Sequence, residues 1–176
     1  NGELFYHSDH MFLDTPLKGI SLYSIEAPEH GGETRFLNAA RAFRDMPESL
    51  KKRIEGLSAR HVYDYNANRG DARPDPSKLS DKVDTSVYPV VWVHPESGTP
   101  LLYISKLFTT EVIGLSREES DKLLDDLFAY LDSIPDEYAH KWRPGDLIIW
   151  DNLHLQHARA DFPETERRAL RRVPIA

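Results

Sequence analysis

Short apolar segments separated by turn-forming residues limit the folds open to this chain more than any other feature of its sequence. One segment covers residues 17–25, and the Pro- and Gly-containing stretch 28–32 separates it from another at 34–37. Two more, at 88–94 and 100–104, flank a turn sequence and predict a hairpin. This pattern is typical of an antiparallel sandwich or barrel and not of alternating βαβ units.

Two amphipathic helices are predicted among these strands. Asp45 and Glu48 have the spacing of a capping box, and apolar residues then recur at helical intervals up to Gly56. Ser116 and Glu119 repeat that spacing ahead of four leucines that would form a buried stripe. The sequence therefore predicts a mainly β protein with flanking helices.

A long polar stretch interrupts the strand pattern. Further strands are predicted at 58–65, 147–150 and 168–175, but residues 66–86 contain almost no apolar anchor. A loop of that length is unusual in a compact protein. We therefore expect it to be either disordered or a lid over a site.

Length and composition favour one domain and a small-molecule partner. The chain has 176 residues, of which 40% are hydrophobic, and this suffices for one core, so residues 1–176 are interpreted as a single domain. The formal net charge of -7 disfavours nucleic acid and anionic membranes, because surfaces that follow phosphates need clustered Lys and Arg. No membrane-length apolar run and no secretory leader pattern are found, so a cytoplasmic location is expected.

Histidine and carboxylate side chains are the available metal ligands, because the chain has no cysteine. His7 and Asp9 are two residues apart, and in an extended segment such side chains share one face, whereas His10 points to the other. Near the opposite end of the chain, either His154 or His157 could supply a third ligand. Spacing alone does not choose between them, and a structural histidine is the more common role for each in isolation.

Arginines are clustered near the C-terminal end of this acidic chain, at Arg167, Arg168, Arg171 and Arg172. The planar guanidinium fits a carboxylate through two hydrogen bonds, so one inward-facing member would suit a dicarboxylate. Arg167 and Arg171 are interpreted as solvent-facing.

The histidine and carboxylate candidates together form a recognised pattern. Two histidines and one carboxylate on a β scaffold, with open positions opposite, form the facial triad of non-haem Fe(II) oxygenases.

The sequence also resembles the taurine dioxygenase and 2,4-dichlorophenoxyacetate dioxygenase family over nearly its whole length. The matching stretches are YHSDHMF, GGETRFLNA, LFTTEVIGLS, WRPGDLIIWDN, QHARADF and RRALRR. The resemblance implies a double-stranded β-helix (jelly roll, cupin-like). Part of the family's substrate-anchoring region precedes its His-x-Asp motif, so we expect the N-terminal part of that fold to be lacking from a sequence that begins at Asn1.

The resemblance implies roles for individual residues. It makes His7, Asp9 and His157 the metal ligands and so prefers His157 over His154. Fe(II) is the implied metal, with 2-oxoglutarate and O2 as co-substrates.

Other implied contacts concern 2-oxoglutarate and the substrate. Thr34 and Arg168 would bind the distal carboxylate of 2-oxoglutarate. Arg172 has two implied roles, toward the near carboxylate of 2-oxoglutarate and toward a substrate anion, and they are not separated. Tyr103 and Phe108 would line the substrate pocket, although core packing explains both equally well.

The implied reaction is hydroxylation of a small, anionic organic substrate with release of succinate and CO2. Cleavage of a C–heteroatom bond can follow where the hydroxylated carbon carries a heteroatom. Taurine itself is not favoured, because His10, Met11 and Lys106 differ from taurine-specific relatives. Two alternatives stay open: a zinc-dependent hydrolase with the same ligands, and a non-catalytic β-sandwich that binds a small acid. A homo-oligomer is compatible with each.

Overall fold

Twelve strands and three α-helices make up the part of the chain that the computed structural model describes, which is residues 2–63, 73, 75–135 and 138–175. The strands are β1 (Leu4–His7), β2 (Gly19–Glu26), β3 (Thr34–Asn38), β4 (Ser58–Tyr63), β5 (Asp84–Pro89), β6 (Val91–Val93), β7 (Pro100–Leu102), β8 (Thr109–Val112), β9 (Tyr138–His140), β10 (Leu147–Asp151), β11 (Leu155–Arg159) and β12 (Ala169–Ile175). The helices are α1 (Ala39–Arg44), α2 (Glu48–Ile54) and α3 (Arg117–Ser133).

The strands form antiparallel sheets, as predicted. One sheet has the order β1-β11-β3-β9, a second β10-β2-β12 and a third β5-β4-β8, while β6 and β7 form the predicted hairpin. The first two sheets pack together through Ile20, Phe36 and Trp150, and the Phe36 and Trp150 rings meet edge to face at 5.2 Å. Two facing antiparallel sheets with helices outside them are the predicted jelly-roll arrangement.

The helices cover a large core beside the first sheet. Leu123, Leu124 and Leu127 of α3 are buried there with residues of α1, α2 and β8. The capping box predicted at α3 is confirmed, because the Ser116 hydroxyl accepts from the Glu119 N–H and the Glu119 carboxylate accepts from the Ser116 N–H. No helix in the described ranges is both long and apolar enough to cross a membrane.

The capping box predicted at Asp45 is wrong. The helix α1, which the sequence patterns did not reveal, begins after Asn38, whose Oδ1 accepts from the Arg41 N–H at 2.9 Å. It ends at Asp45, whose N–H donates to the Arg41 carbonyl and whose carboxylate pairs with the Arg41 side chain. The next helix, α2, therefore starts at Glu48 after Pro47 and has no side-chain cap.

The strand predicted at 88–94 is divided in two. The backbone of Val90 leaves the sheet, since its N–H donates to the Leu57 carbonyl and its carbonyl accepts from the Tyr103 N–H. Pro89 therefore ends β5, which is an edge strand as a proline requires. The polar stretch 66–86 is also shorter than predicted, because its last three residues belong to β5.

Residues 66–72 and 74 of the expected lid lie outside the described ranges, so the lid stays a prediction. One described residue of the stretch, Arg73, bonds to α3: its Nε lies 3.2 Å from Asp121 Oδ1 and its Nη1 lies 3.0 Å from Asp125 Oδ1. Arg73 thus connects this part of the stretch to α3.

The apolar residues on both faces of β2 have different environments. Ile20 faces the second sheet's inner side and is fully buried, whereas Tyr23 and Ile25 on the outer side are 44% and 50% exposed. Leu147 and Ile149 of the neighbouring strand extend this outer apolar face. The inner face is therefore the one that builds the core and positions the site.

Acid should destabilise the metal-free protein through buried His61. Burial lowers the pKa of His61 to about 3, so between pH 6.5 and 3 the unfolded chain holds a proton that the folded chain lacks. The free energy of unfolding therefore falls as pH falls, and His61 contributes about 1.4 kcal/mol per pH unit in that window. Urea titrations of His61→Phe should show a shallower pH dependence than the parent protein.

The exposed His30 provides the control, because its pKa is raised by the hydrogen bond to Glu166 and its effect has the opposite sign. His30→Gln should not reduce the acid loss. An unchanged slope in His61→Phe would contradict the account of His61.

Candidate metal centre

Strand pairing brings the first and third predicted ligands together. In the antiparallel pair β1 and β11, His7 lies directly opposite His157, so both imidazoles project from one face of the sheet. Their ring centroids are 4.2 Å apart. Asp9 follows two residues after His7, and its Oδ1 lies 3.4 Å from His7 Nε2 and 3.9 Å from His157 Nε2. Three metal-ligating atoms thus converge on one point.

A hydrogen bond at Nδ1 of His7 leaves the other ring nitrogen, Nε2, available to a metal ion. His7 Nδ1 lies 2.7 Å from the carbonyl oxygen of Phe5, which can only accept, so Nδ1 carries the proton. The lone pair is therefore on Nε2, the atom that faces Asp9 and His157. A carbonyl that fixes the tautomer in this way is a common outer partner of metal-bound histidine.

The charges of the triad suit a divalent cation. Burial by itself raises the pKa of Asp9, but the neighbouring side chains of His7, His157 and Arg172 outweigh burial and hold that pKa well below its usual value. Burial is the main cause that lowers the pKa of His157, to about 3. At neutral pH the site therefore offers an anionic carboxylate and a neutral imidazole, the forms that bind metal.

Asn152 fixes the backbone of Asp9. Its Oδ1 accepts from the Asp9 N–H and its Nδ2 donates to the Asp9 carbonyl, both at 2.9 Å, and Nδ2 also donates to the Leu17 carbonyl at 3.0 Å. The Asn152 side chain is fully buried. Asp9 lies beyond the end of β1, and the Asn152 amide satisfies its backbone N–H and carbonyl in place of a neighbouring strand. These bonds fix the position of the Asp9 Cα, from which the carboxylate side chain extends.

Arg168 and Arg172, the two arginines predicted to be in the site, contact different groups. Arg172 Nη1 donates to Asp9 Oδ2 at 2.5 Å, so it touches a predicted metal ligand. Arg168 donates from Nε to the Gly32 carbonyl at 2.9 Å and from Nη2 to Thr34 Oγ1 at 3.4 Å. Burial, with a smaller contribution from the charge of a second arginine, lowers the pKa of Arg168 to about 10, so it stays cationic at neutral pH.

Thr34 is positioned by the sheet and by a tryptophan. It pairs with Arg159, two residues along β11 from His157, so it lies on the triad's face about 7 Å further along the strand. Its Oγ1 accepts from Trp142 Nε1 at 3.0 Å as well as from Arg168. With two donors on its oxygen, the hydroxyl has its own proton left to donate.

Gly32 lets Arg168 approach. Its φ is +69°, and a Cβ there would lie 3.2 Å from Arg168 Cδ and 2.8 Å from Pro28 Cγ. Glycine is therefore required at position 32, because its backbone is left-handed and because a Cβ would collide with Pro28 and crowd Arg168.

The predicted substrate contacts lie in an aromatic cluster beside the triad. Phe108 is buried and meets the His7 ring edge to face at 5.5 Å. Tyr103 is 1% exposed and packs in the same cluster with Met11 and Phe12. Its hydroxyl has no hydrogen-bond partner among the described residues, which is unusual for a core tyrosine.

A second histidine and carboxylate group contains His154 but does not offer a comparable site. His94, Asp151 and His154 have ligand atoms within 4.8 Å of one another. However, His94 Nδ1 accepts from the backbone N–H groups of Glu96 and Ser97, so its proton is on Nε2 and is donated to Asp151 Oδ2. His94 therefore has no lone pair left for an ion, and Asp151 Oδ1 already accepts the N–H of His154.

Asn152 and Trp142 were missed as site residues by sequence reasoning. Both stand in the stretch WRPGDLIIWDN, which carries the family resemblance, but their partners are 143 and 108 residues away. Only the resemblance could have singled them out, because no local pattern reports such contacts.

Comparisons with known proteins identify the family of this chain. The family model described as "Taurine catabolism dioxygenase TauD, TfdA family" matches residues 1–173. This chain belongs to that family. It is 34% identical over 178 residues to an alpha-ketoglutarate-dependent sulfate ester dioxygenase of Pseudomonas putida, covering 97% of this chain and 59% of that protein. It is 30% identical to an (S)-phenoxypropionate/alpha-ketoglutarate-dioxygenase of Sphingobium herbicidovorans, covering 99% and 63%.

Solved structures show the same fold. A taurine dioxygenase from Burkholderia xenovorans superposes with a TM-score of 0.79 at 27% identity, covering 97% of this chain and 56% of that one. AAD-2, solved with Mn(II) and N-oxalylglycine, gives a TM-score of 0.83 at 26% identity, covering 97% and 67%. The chain thus spans about 60% of the length of its curated relatives. Neither the zinc hydrolase nor the non-catalytic sandwich is supported by these relatives, and the two curated proteins are named as dioxygenases.

Removing the Asn152 clamp should weaken metal binding. Asn152→Leu keeps the volume but leaves buried backbone groups of Asp9 unpaired, which should lower the free energy of unfolding by about 3 kcal/mol. Metal affinity should fall tenfold to a hundredfold, the usual range for outer partners of metal ligands. Isothermal titration with Mn(II) measures this.

The matched control is Asn38→Leu, which removes the side-chain cap of α1 and leaves the bonds between Asn152 and Asp9 in place. It should cost about 1 kcal/mol and leave Mn(II) affinity unchanged. Equal affinity in both variants would show that the clamp does not serve the metal.

Proposed function

We propose that this chain carries the metal centre of an Fe(II)- and 2-oxoglutarate-dependent dioxygenase that hydroxylates a small, anionic organic substrate. The convergence of His7 Nε2, Asp9 Oδ1 and His157 Nε2 on one point is the observation that carries the proposal. Two imidazoles and one carboxylate leave open metal positions, and this donor set is the one that non-haem Fe(II) oxygenases use.

The donor set fits Fe(II), and the three residues would hold it. When bound, Fe(II) with O2 and 2-oxoglutarate supplies the oxidation: 2-oxoglutarate is converted to succinate and CO2, and one C–H bond of the substrate is hydroxylated. The residues of this chain contribute position. His157 lies between His7 and the Trp150 ring, whose centroid is 4.9 Å away, so the ligand rings are held by packing before any ion arrives.

Arg168 and Thr34 would bind the distal carboxylate of 2-oxoglutarate. Arg168 is partly buried yet cationic, and the Thr34 hydroxyl has a proton to donate beside it. A guanidinium and a hydroxyl donor together suit a carboxylate. Their place further along the triad's face allows a five-carbon dicarboxylate to reach them with one end at the metal.

Arg172, Tyr103 and Phe108 would contact the substrate. Arg172 uses one nitrogen on Asp9, and its half-exposed guanidinium has further donors for the near carboxylate of 2-oxoglutarate or for a substrate anion. Within the aromatic cluster, Phe108 contacts both Phe12 and the His7 ring. The sulfate ester and phenoxypropionate named for two relatives are both anions of this kind.

Further features of the activity follow from the same proposal. Where the hydroxylated carbon carries a heteroatom, the product can collapse and break that bond. A cytoplasmic location accords with the use of 2-oxoglutarate, a metabolite of the cell interior. A homo-oligomer remains compatible with the proposal, and a lid over 66–86 would exclude water from the site.

An anaerobic spectrum tests the proposal directly. Addition of Fe(II) and 2-oxoglutarate should produce visible charge-transfer absorbance, because light can move an electron from the iron to a keto acid bound to it. His157→Ala should lose this absorbance, whereas His154→Ala should keep it. Absence of the band in the parent protein, or its loss in His154→Ala alone, would contradict the proposed site.

Arg168→Ala should raise the dissociation constant for 2-oxoglutarate by about tenfold to a hundredfold, the loss expected for a charge-assisted hydrogen bond. Titration of the absorbance band measures it. Arg167→Ala is the matched control, since Arg167 is exposed and pairs with Glu26 at 3.0 Å. An affinity that does not change in Arg168→Ala would assign the distal carboxylate to another group.

A further inference from the structure

The two oxygens of the Asp9 carboxylate face different partners. Oδ1 lies 3.4 Å from His7 Nε2 and 3.9 Å from His157 Nε2. Oδ2 instead accepts a 2.5 Å hydrogen bond from Arg172 Nη1. An ion held between the two imidazoles would therefore meet Oδ1, while the second oxygen is engaged by a side-chain cation.

The backbone of Asp9 cannot move to exchange these oxygens. Asn152 bonds both its N–H and its carbonyl, and the Asn152 side chain is fully buried. Only rotation of the Asp9 side chain could bring Oδ2 toward the imidazoles. That rotation would break the short, charge-assisted bond to Arg172, which is among the stronger hydrogen bonds in proteins.

The number of carboxylate oxygens on the ion decides how many positions stay open. Two imidazoles and one oxygen fill three neighbouring positions of an octahedron and leave three. A carboxylate that binds through both oxygens would take a fourth. The proposed reaction would use all three, because 2-oxoglutarate and O2 would both bind at the metal.

We propose that Arg172 is a positioning residue that holds Oδ2 of Asp9 away from the metal and so keeps Asp9 a one-oxygen ligand. This role is distinct from contact with an anion and uses a different nitrogen of the same guanidinium. The need for three open positions rests on the proposed function, but the coordination of Asp9 does not.

Neighbouring Arg171 offers a matched control. Arg172 pairs in register with Leu22 on the inner face of the sheet, whereas Arg171 pairs with Tyr23, which is 44% exposed on the outer face. Arg171 and Arg172 are both exposed residues of β12, so glutamine at either removes one positive charge without opening the core. Only Arg172→Gln removes the charge-assisted bond to Asp9.

Water-proton relaxation by Mn(II) counts the water molecules on the ion and requires no activity. Mn(II) is a suitable probe because it accepts nitrogen and oxygen ligands in octahedral geometry. In the parent protein without 2-oxoglutarate, three positions should hold water. In Arg172→Gln the freed oxygen should displace one of them, so the relaxation enhancement per bound Mn(II) should fall by about one third. Free Mn(II), read from its electron paramagnetic resonance signal, gives the bound fraction.

Arg171→Gln should match the parent protein, and Arg172→Lys, which keeps a cationic donor, should recover most of the enhancement. The proposal is overturned if Arg172→Gln retains the parent value per bound ion, or if Arg171→Gln falls by the same amount. A parent protein that binds no Mn(II) would instead defeat the proposed function, so the two failures are distinguishable.

Discussion

The register between β1 and β11 is the constraint on which the rest of the site depends. It places His7 opposite His157, and the neighbouring pair of β11 with β3 places Thr34 on the same face. Side chains alternate between the faces of a strand, so a slip of one residue would turn His157 away from His7 and Asp9. The ligand set and the predicted 2-oxoglutarate contacts thus share one origin, the pairing of three strands in a single sheet.

Burial gives these residues their chemical state. His157 is kept neutral because its surroundings exclude water, and Asp9 is kept anionic because His7, His157 and Arg172 surround its carboxylate. An anionic carboxylate held among buried imidazoles contributes little to folding by itself, since removing charges from water is costly. The arrangement is better explained by a cation that occupies it. The contrast with His94 supports this view, because there every nitrogen already has a hydrogen-bond partner.

Local patterns predicted most strands, and the family resemblance narrowed the site. Turn residues and apolar runs located β2, β3, β10 and the hairpin, and Ser116 with Glu119 located α3. The same capping pattern failed at Asp45, because Asp45 is the C-terminal cap of α1 and its N–H bonds to the Arg41 carbonyl. Asn152 and the bond between Arg172 and Asp9 had no local signal, since they join residues more than 140 positions apart. Spacing left His154 and His157 equivalent, and the fold places them in different groups.

The central claim is that one divalent ion binds to His7, Asp9 and His157. Anaerobic equilibrium dialysis with Fe(II), followed by metal analysis of the protein, tests it most directly. The account predicts one ion per chain in the parent protein and in His94→Ala, and almost none in Asp9→Ala. Two ions per chain, or an ion that remains in Asp9→Ala and is lost in His94→Ala, would contradict it.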